Sequence, residues 1–197
     1  MATYIDLKSD IQSWLADDDL SSTVPVFIRL CEVQINRELS VLSQETTVEL
    51  SVDVTQTPSV TNFVDLPSDF KEIVTISSPE TLDNSALEYV SPSRMVAEDQ
   101  PYFYSIKGDL IMLPTGVADI VLTYIAKFPE LTDSVTTNWL TENAYDALLY
   151  GSLTHAEGFV MNDQRIPLWE SAYRRAIDSI NEVDDQARYS GNELRVL

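Results

Sequence analysis

The chain has 197 residues with 32 acidic and 12 basic side chains, which gives a formal net charge of −20. A surface this negative argues against a protein that binds phosphate backbones or anionic lipid headgroups. The hydrophobic content of 44% is that of a folded protein, and the length suits one large domain or a core with an inserted subdomain.

Targeting and redox features favour a soluble protein that is made in the cytoplasm. No segment approaches the roughly 20 apolar residues that cross a bilayer. The start, MATYIDLKSD, lacks the basic-then-apolar order of a signal peptide. The one cysteine, Cys31, permits neither an internal disulfide nor a cysteine-based zinc site, as expected in a reducing compartment.

Residues 1–45 predict two helices, because apolar side chains recur there at three- and four-residue steps. The acidic run ADDDLSST separates the helices, Ser22 or Thr23 is expected to cap the second one, and Pro25 fits its first turn. The expected apolar positions are Tyr4, Leu7, Ile11, Trp14 and Leu15, then Phe27, Leu30, Cys31, Val33 or Gln34, and Ile35 to Leu39.

Residues 46–126 predict a small antiparallel β domain, since they are rich in Val, Thr and Ile and alternate in polarity. Lys107-Gly108-Asp109 between two apolar runs indicates a tight hairpin. A short helix is expected near residues 91–97. The side chains expected on one face of the first strand are Val48, Leu50, Val52 and Val54.

Residues 127–187 predict two further helices. The first is expected to run without interruption from Thr141 to Val160, with His155 and Phe159 on one apolar stripe. The second starts near Asn162 or Pro167. Its expected apolar face is Trp169, Ala172, Tyr173, Ala176, Ile177, Ile180 and Val183, and its polar face is Glu170, Arg174, Asp178 and Glu182, with Arg174 paired to both Glu170 and Asp178.

The predicted fold class is therefore α+β. The helices of residues 1–45 and 127–187 form a bundle, and the antiparallel β domain of residues 46–126 is inserted between them. Residues 188–197 lose the helical pattern and form an arm.

The sequence offers little catalytic chemistry, and we expect neither an enzyme nor a cofactor or metal site. Hydrolytic triads need a base, and His155 is the one imidazole; its small, apolar neighbours favour a packed, hydrogen-bonded side chain. The run Asp17 to Asp19 lacks the spacing of a calcium loop, and the five glycines form no phosphate-binding motif. Hydrolysis by two carboxylates stays open as a minor alternative, because those groups need only be close in space.

Arginines are concentrated near the end of the sequence. Arg174 and Arg175 are expected to form salt bridges within their helix. Arg188 and Arg195 flank a tail that has nothing of its own to bury, and ELRVL at its end carries the apolar side chains of Leu194, Val196 and Leu197. Such a segment either frays or docks on a partner, and both readings remain open.

Several phrases, taken in order, resemble the head-to-tail adaptor (connector or neck) proteins of tailed bacteriophages, of the kind found in short-tailed phages. The strongest are LTYIAKFPELTD, TNWLTENAYDALLYGSLTHA, WESAYRRAIDSIN and ARYSGNELRV, and LPSDF and LEYVSP also fit. The likeness covers most of the chain and is clearest from Tyr124 to Arg195. Ile166-Pro167 departs from it, since an uninterrupted helical start is expected there.

The resemblance implies a structural virion protein at the head–tail interface. It forms a ring, usually of twelve copies, between the portal and the tail or nozzle protein, and it extends the channel through which DNA passes without specific binding during genome ejection. The helices form the ring body, and the β domain faces outward or towards the tail. The arm reaches up to the portal, with Arg188, Tyr189, Leu194, Arg195, Val196 and Leu197 as contact residues.

Two other functions compete with this interpretation. An acidic DNA mimic that inhibits a host nucleic-acid-binding protein would present its carboxylates on one face, whereas here they occur in every segment. A host-interaction or enzymatic tail component is disfavoured by the single histidine. For an adaptor this acidic, repulsion between copies opposes assembly, so we expect a monomer in isolation and rings that form on the portal.

Overall fold

The computed structural model describes residues 2–16, 18–51, 61–79, 85–97, 102–115, 117, 119–159 and 164–189. The chain divides into two compact units: a helical unit, Met1–Leu42 with Phe128–Leu197, and a β unit, Ser43–Lys127. Helices precede and follow the strands along the chain, so the predicted α+β class is confirmed. In the described residues, no helix combines the length and the apolar character needed to cross a bilayer.

The helical unit begins with helices α1, Tyr4–Leu15, and α2, Val24–Glu38. Thr3 and Asp6 cap the start of α1 reciprocally: the Thr3 N–H donates to the Asp6 carboxylate at 2.8 Å, and the Asp6 N–H donates to the Thr3 hydroxyl. Thr23 occupies the expected cap position of α2, but its side chain makes no capping hydrogen bond. Its backbone is already helical, whereas a capping side chain requires an extended residue.

The buried faces of α1 and α2 are narrower than the sequence suggested. Trp14 and Leu30 were expected to face the core, together with Val33 or Gln34. Trp14, Leu30 and Val33 are exposed, and Gln34 is partly buried. Each three-residue step along a helix falls about 60° short of a full turn, so Leu30 and Val33 rotate progressively away from the face of Phe27. The buried side chains of the two helices are Tyr4, Leu7, Ile11 and Leu15, and Val24, Phe27, Ile28, Cys31, Glu32 and Ile35.

Three helices follow in the same unit: α4, Trp139–Asn143, α5, Tyr145–His155, and α6, Ile166–Tyr189. The single helix expected over residues 141–160 is wrong in its extent, because the backbone of Ala144 leaves the helical conformation, with φ −141° and ψ 36°, and separates α4 from α5. Asn138 caps α4 by accepting from the Thr141 N–H at 3.1 Å. Pro167 lies in the first turn of α6, while the alternative cap Asn162 lies outside the described residues.

Both α2 and α6 pack against α5. Burial along α6 is confined to its first four turns, where Trp169, Tyr173, Ala176 and Ile177 are buried and Ile180 is partly buried. Val183 was expected on this buried face and is instead exposed. The cause is length: α6 has 24 residues and α5 only 11, so α5 cannot cover the second half of α6.

The β unit contains two sheets and helix α3, Pro92–Ala97, which is the short helix expected near residues 91–97. The first sheet has strand order β1-β7-β3 and the second β2-β6-β5-β4. The strands are β1, Glu45–Ser51, β2, Thr61–Asp65, β3, Phe70–Ser77, β4, Glu88–Tyr89, β5, Phe103–Lys107, β6, Leu110–Pro114, and β7, Asp119–Ala126.

All strand pairs of the β unit are antiparallel except β4 with β5, which departs from the wholly antiparallel domain expected. The predicted hairpin is confirmed: Lys107 pairs with Leu110, and Gly108 takes φ +64°, which an L side chain rarely adopts. Val48 and Leu50 pack on the core of this unit, while Val52 and Val54 lie outside the described residues.

Candidate interaction surfaces

His155 is the last residue of α5 and is half-buried. Its Nε2 atom is shielded from solvent and has no hydrogen-bond partner among the described residues, so the side chain is packed as predicted but the expected hydrogen bond is not made at this atom. Burial lowers the pKa of the imidazole, which favours the neutral ring.

The imidazole borders a surface cleft of about 560 Å³ between α2, α5 and α6. Across this cleft the Tyr173 hydroxyl donates to Glu38 Oε2 at 2.6 Å, and burial raises the pKa of Tyr173, which keeps the hydroxyl protonated. The other polar lining residues are Gln34, Thr154, Glu157, Glu170, Arg174 and Asp178. The described residues contain no group of three or more His, Cys, Asp or Glu that could hold a metal ion.

Arginines on α6 make contacts within their own helix. Arg174 Nη2 lies 2.6 Å from Glu170 Oε1, which confirms that predicted pair, but the second pair expected with Asp178 is not formed. Arg175 was expected in a salt bridge and instead donates from Nε to the Ser171 carbonyl at 3.2 Å.

Glu32 is a buried carboxyl group that the sequence interpretation overlooked. It is 2% exposed in α2, and its Oε1 accepts from the Leu131 N–H at 2.9 Å and from Asn138 Nδ2 at 3.5 Å. Burial raises its pKa to about 7, with the negative charge of Glu130 contributing. The side chain thereby ties α2 to the segment that leads into α4. Its position four residues after Ile28, on the apolar face, was the available signal.

The last turn of α6 is fastened to the chain that follows α2. Arg188 donates from Nε to Asp184 Oδ2 at 2.7 Å and from Nη2 to the Ser40 carbonyl at 2.9 Å. Asp184 Oδ1 accepts from the Leu42 N–H at 2.7 Å, so this carboxylate also joins the last turns of α6 to the residues that follow α2.

These contacts bear on the expected portal-binding arm. Arg188 and Tyr189 are the last residues of α6, so helical structure extends two residues into the predicted arm. Arg188 is engaged with its own unit, whereas Tyr189 is exposed. The remaining candidates, Leu194, Arg195, Val196 and Leu197, lie outside the described residues. The assignment of these six residues to portal contact therefore stays a prediction.

The family model described as SU10 adaptor protein matches residues 2–196, which covers both units and nearly the whole chain. No curated protein matches the sequence.

Proposed function

The chain belongs to the SU10 adaptor protein family, and from this premise we propose that it forms a ring between the portal and the tail of a bacteriophage. The ring, of twelve copies, extends the DNA channel and offers the tail or nozzle protein a platform. The observation that carries this proposal is the family match over residues 2–196, which agrees with the ordered phrases of the sequence.

The charge of the chain fits passage of DNA without capture. With a net charge of −20, a channel built from many copies repels the phosphate backbone, so the genome can move through without a lasting contact.

Residues 188–197 are the proposed arm, and α6 provides its base. Arg188 holds the last turn of α6 against Ser40, so the position at which the arm begins is fixed relative to the rest of the helical unit. Tyr189 is exposed at that point, and the apolar Leu194, Val196 and Leu197 would bury their side chains against the portal.

Mass photometry of the protein mixed with the portal of the same phage tests the proposal. Three forms are compared: the full chain, a form that ends at Tyr189, and the triple variant L194S/V196S/L197S. The truncation leaves the Arg188 contacts intact, so loss of binding cannot be traced to a loosened α6.

A heavy complex with the full chain, absent for both altered forms, supports the adaptor role and the arm as its anchor. If all three forms make complexes, the adaptor role is supported and the arm is not the anchor to the portal. Absence of any complex with the full chain contradicts the proposed function and favours the acidic inhibitor, whose binding to host nucleic-acid-binding proteins is then the next measurement.

A further inference from the structure

The outer face of α2 is unusual for the surface of so acidic a protein. It consists of Val26, Arg29, Leu30, Val33 and Arg37, at steps of three and four residues. The three apolar side chains are 41%, 45% and 38% exposed, and both arginines are exposed as well. These five residues are called the α2 stripe; none of them is acidic, in a chain with 32 acidic side chains.

The helical unit itself does not explain the α2 stripe. The opposite side of α2 already packs in the core, and a surface helix ordinarily turns polar residues outward. Within the part of the chain that the structure describes, neither Arg29 nor Arg37 has an ion pair or a side-chain hydrogen bond. Apolar side chains interleaved with arginine are typical of protein–protein interfaces.

A complementary surface lies on the second half of α6. Asp178, Glu182 and Asp185 are exposed there at steps of four and three residues, and the exposed Val183 adjoins them. These three carboxylates are called the α6 strip. Glu182 and Asp185 likewise have no ion pair among the described residues.

The spacings of the two surfaces agree. Arg29 and Arg37 are eight residues apart, about 12 Å along a helix, and Asp178 and Asp185 are seven residues apart, about 10.5 Å. Both arginines can therefore meet carboxylates at once when the helices lie side by side, with Val33 and Glu182 near the centre of the contact. If α2 of one copy instead packed antiparallel against α2 of another copy, Arg37 would face Arg29 and the two positive charges would repel.

We propose that the α2 stripe of one copy binds the α6 strip of the next copy, as the lateral contact of the ring; this rests on the proposed function. Two different surfaces on one chain make a heterologous contact, which propagates from copy to copy and closes into a ring when the rotation allows. The opposite charges also offset, at the contact, the repulsion between copies that each carry −20.

Disulfide crosslinking tests the pairing. The variant V33C/E182C carries one cysteine at the centre of each surface, and the native Cys31 is buried. The double variant is oxidised in two settings, bound to the portal and alone at high protein concentration. The single variants V33C and E182C are treated in the same way as controls. We expect a ladder of dimers, trimers and larger species from the double variant and no ladder from either single variant.

Charge reversal tests the electrostatic match. R29E/R37E in the crosslinking chain should raise the concentration needed for half-maximal ladder formation roughly tenfold or more, and adding D178R/D185R, which leaves the crosslinking position untouched, should restore it. The control K107E/K127E alters the net charge as much as R29E/R37E does, at two exposed lysines of the β unit, and should leave the ladder within about threefold of the unreversed chain.

The outcomes separate this inference from the proposed function. A portal complex that holds many copies but yields no ladder overturns the α2–α6 contact and leaves the adaptor role standing. If no portal complex forms, the ladder from the protein alone decides: its presence supports the contact, and its absence overturns it. Failure of D178R/D185R to restore ladder formation in the R29E/R37E chain also counts against the pairing.

Discussion

Gly151 of α5 lies so close to Cys31 of α2 that no side chain fits between them. A Cβ atom at Gly151 would overlap the Cys31 Sγ and would lie 3.0 Å from two ring atoms of Tyr173 in α6. Three helices therefore meet at this one position, and their separation depends on the missing side chain.

Replacing Gly151 with alanine should destabilise the helical unit by about 1–3 kcal/mol, because overpacking outweighs the gain of about 1 kcal/mol in helix propensity. Urea unfolding followed by circular dichroism measures the change. G158A is the matched control, since no heavy atom lies within 4 Å of the added Cβ, and it should stay within about 0.5 kcal/mol. Adding C31A to G151A should recover part of the lost unfolding free energy, because it removes the sulfur atom that the new methyl group overlaps. An unchanged urea midpoint for G151A would contradict the prediction and show that the helices separate at little cost.

Glu32 should make stability depend on pH. Its pKa of about 7 in the folded protein lies above the ordinary 4.5, so the folded chain binds this proton more tightly than the unfolded chain does. The resulting stabilisation is complete below the unfolded pKa and is lost as pH rises through the folded pKa. Relative to the unaltered protein, E32Q should therefore gain about 1–3 kcal/mol in unfolding free energy between pH 5 and pH 8.

Urea titrations of both proteins at the two pH values measure this gain. E142Q, which removes an exposed carboxylate from α4, should show little pH-dependent difference. Equal pH dependence of E32Q and the unaltered chain would mean that the Glu32 carboxyl ionises as freely as in the unfolded state.

Tyr173 should contribute through its hydroxyl as well as its ring. The hydroxyl donates to Glu38 at 2.6 Å, so Y173F should cost about 1–2 kcal/mol while the ring packing is kept. Thermal unfolding compares Y173F with Y102F, whose exposed ring belongs to the β unit. A loss of equal size in both variants would argue against the Glu38 contact.

The end of α6 should loosen when Arg188 is removed. R188A loses the hydrogen bonds to Asp184 and to the Ser40 carbonyl, and we expect a cost of about 0.5–1 kcal/mol, small because the guanidinium is partly exposed. Amide hydrogen exchange in the last two turns of α6 should accelerate. R175A, whose contact is confined to its own helix, is the control and should leave exchange at that end unchanged.

At the low protein concentrations of a sedimentation experiment the isolated protein should be largely monomeric, with rings forming on the portal, because each copy carries a net charge of −20. Analytical ultracentrifugation at low and at physiological salt measures the state, and added salt should favour association. Stable rings of the purified protein at low salt would contradict this prediction.

Local patterns in the sequence were enough for much of the fold. The Gly108 turn, the amphipathic core of α1 and the Glu170–Arg174 pair all depend on residues within four positions of each other, and the structure contains each of them. The break at Ala144 and the exposure of Leu30 were missed. The exposure of Val183 was missed as well, because periodicity along α6 does not specify how far the neighbouring α5 extends.

The contacts at the candidate surfaces depended on the tertiary fold in the same way. From the sequence, Arg188 was assigned to the C-terminal arm. In the structure it lies in the last turn of α6 and contacts Ser40, which is 148 residues earlier in the chain. Glu32 was overlooked in the sequence, and its partner Leu131 is 99 residues away.

The sequence by itself determined the fold class, the strong negative charge and the likeness to a family of adaptors, because these follow from composition, short-range periodicity and the order of whole phrases. Only the tertiary structure decided that Glu32 is buried with a raised pKa, that Gly151 admits no side chain, and that the α2 stripe is left uncovered. Burial and close contact arise when residues distant in sequence exclude water from one another, and no local pattern records which residues those will be.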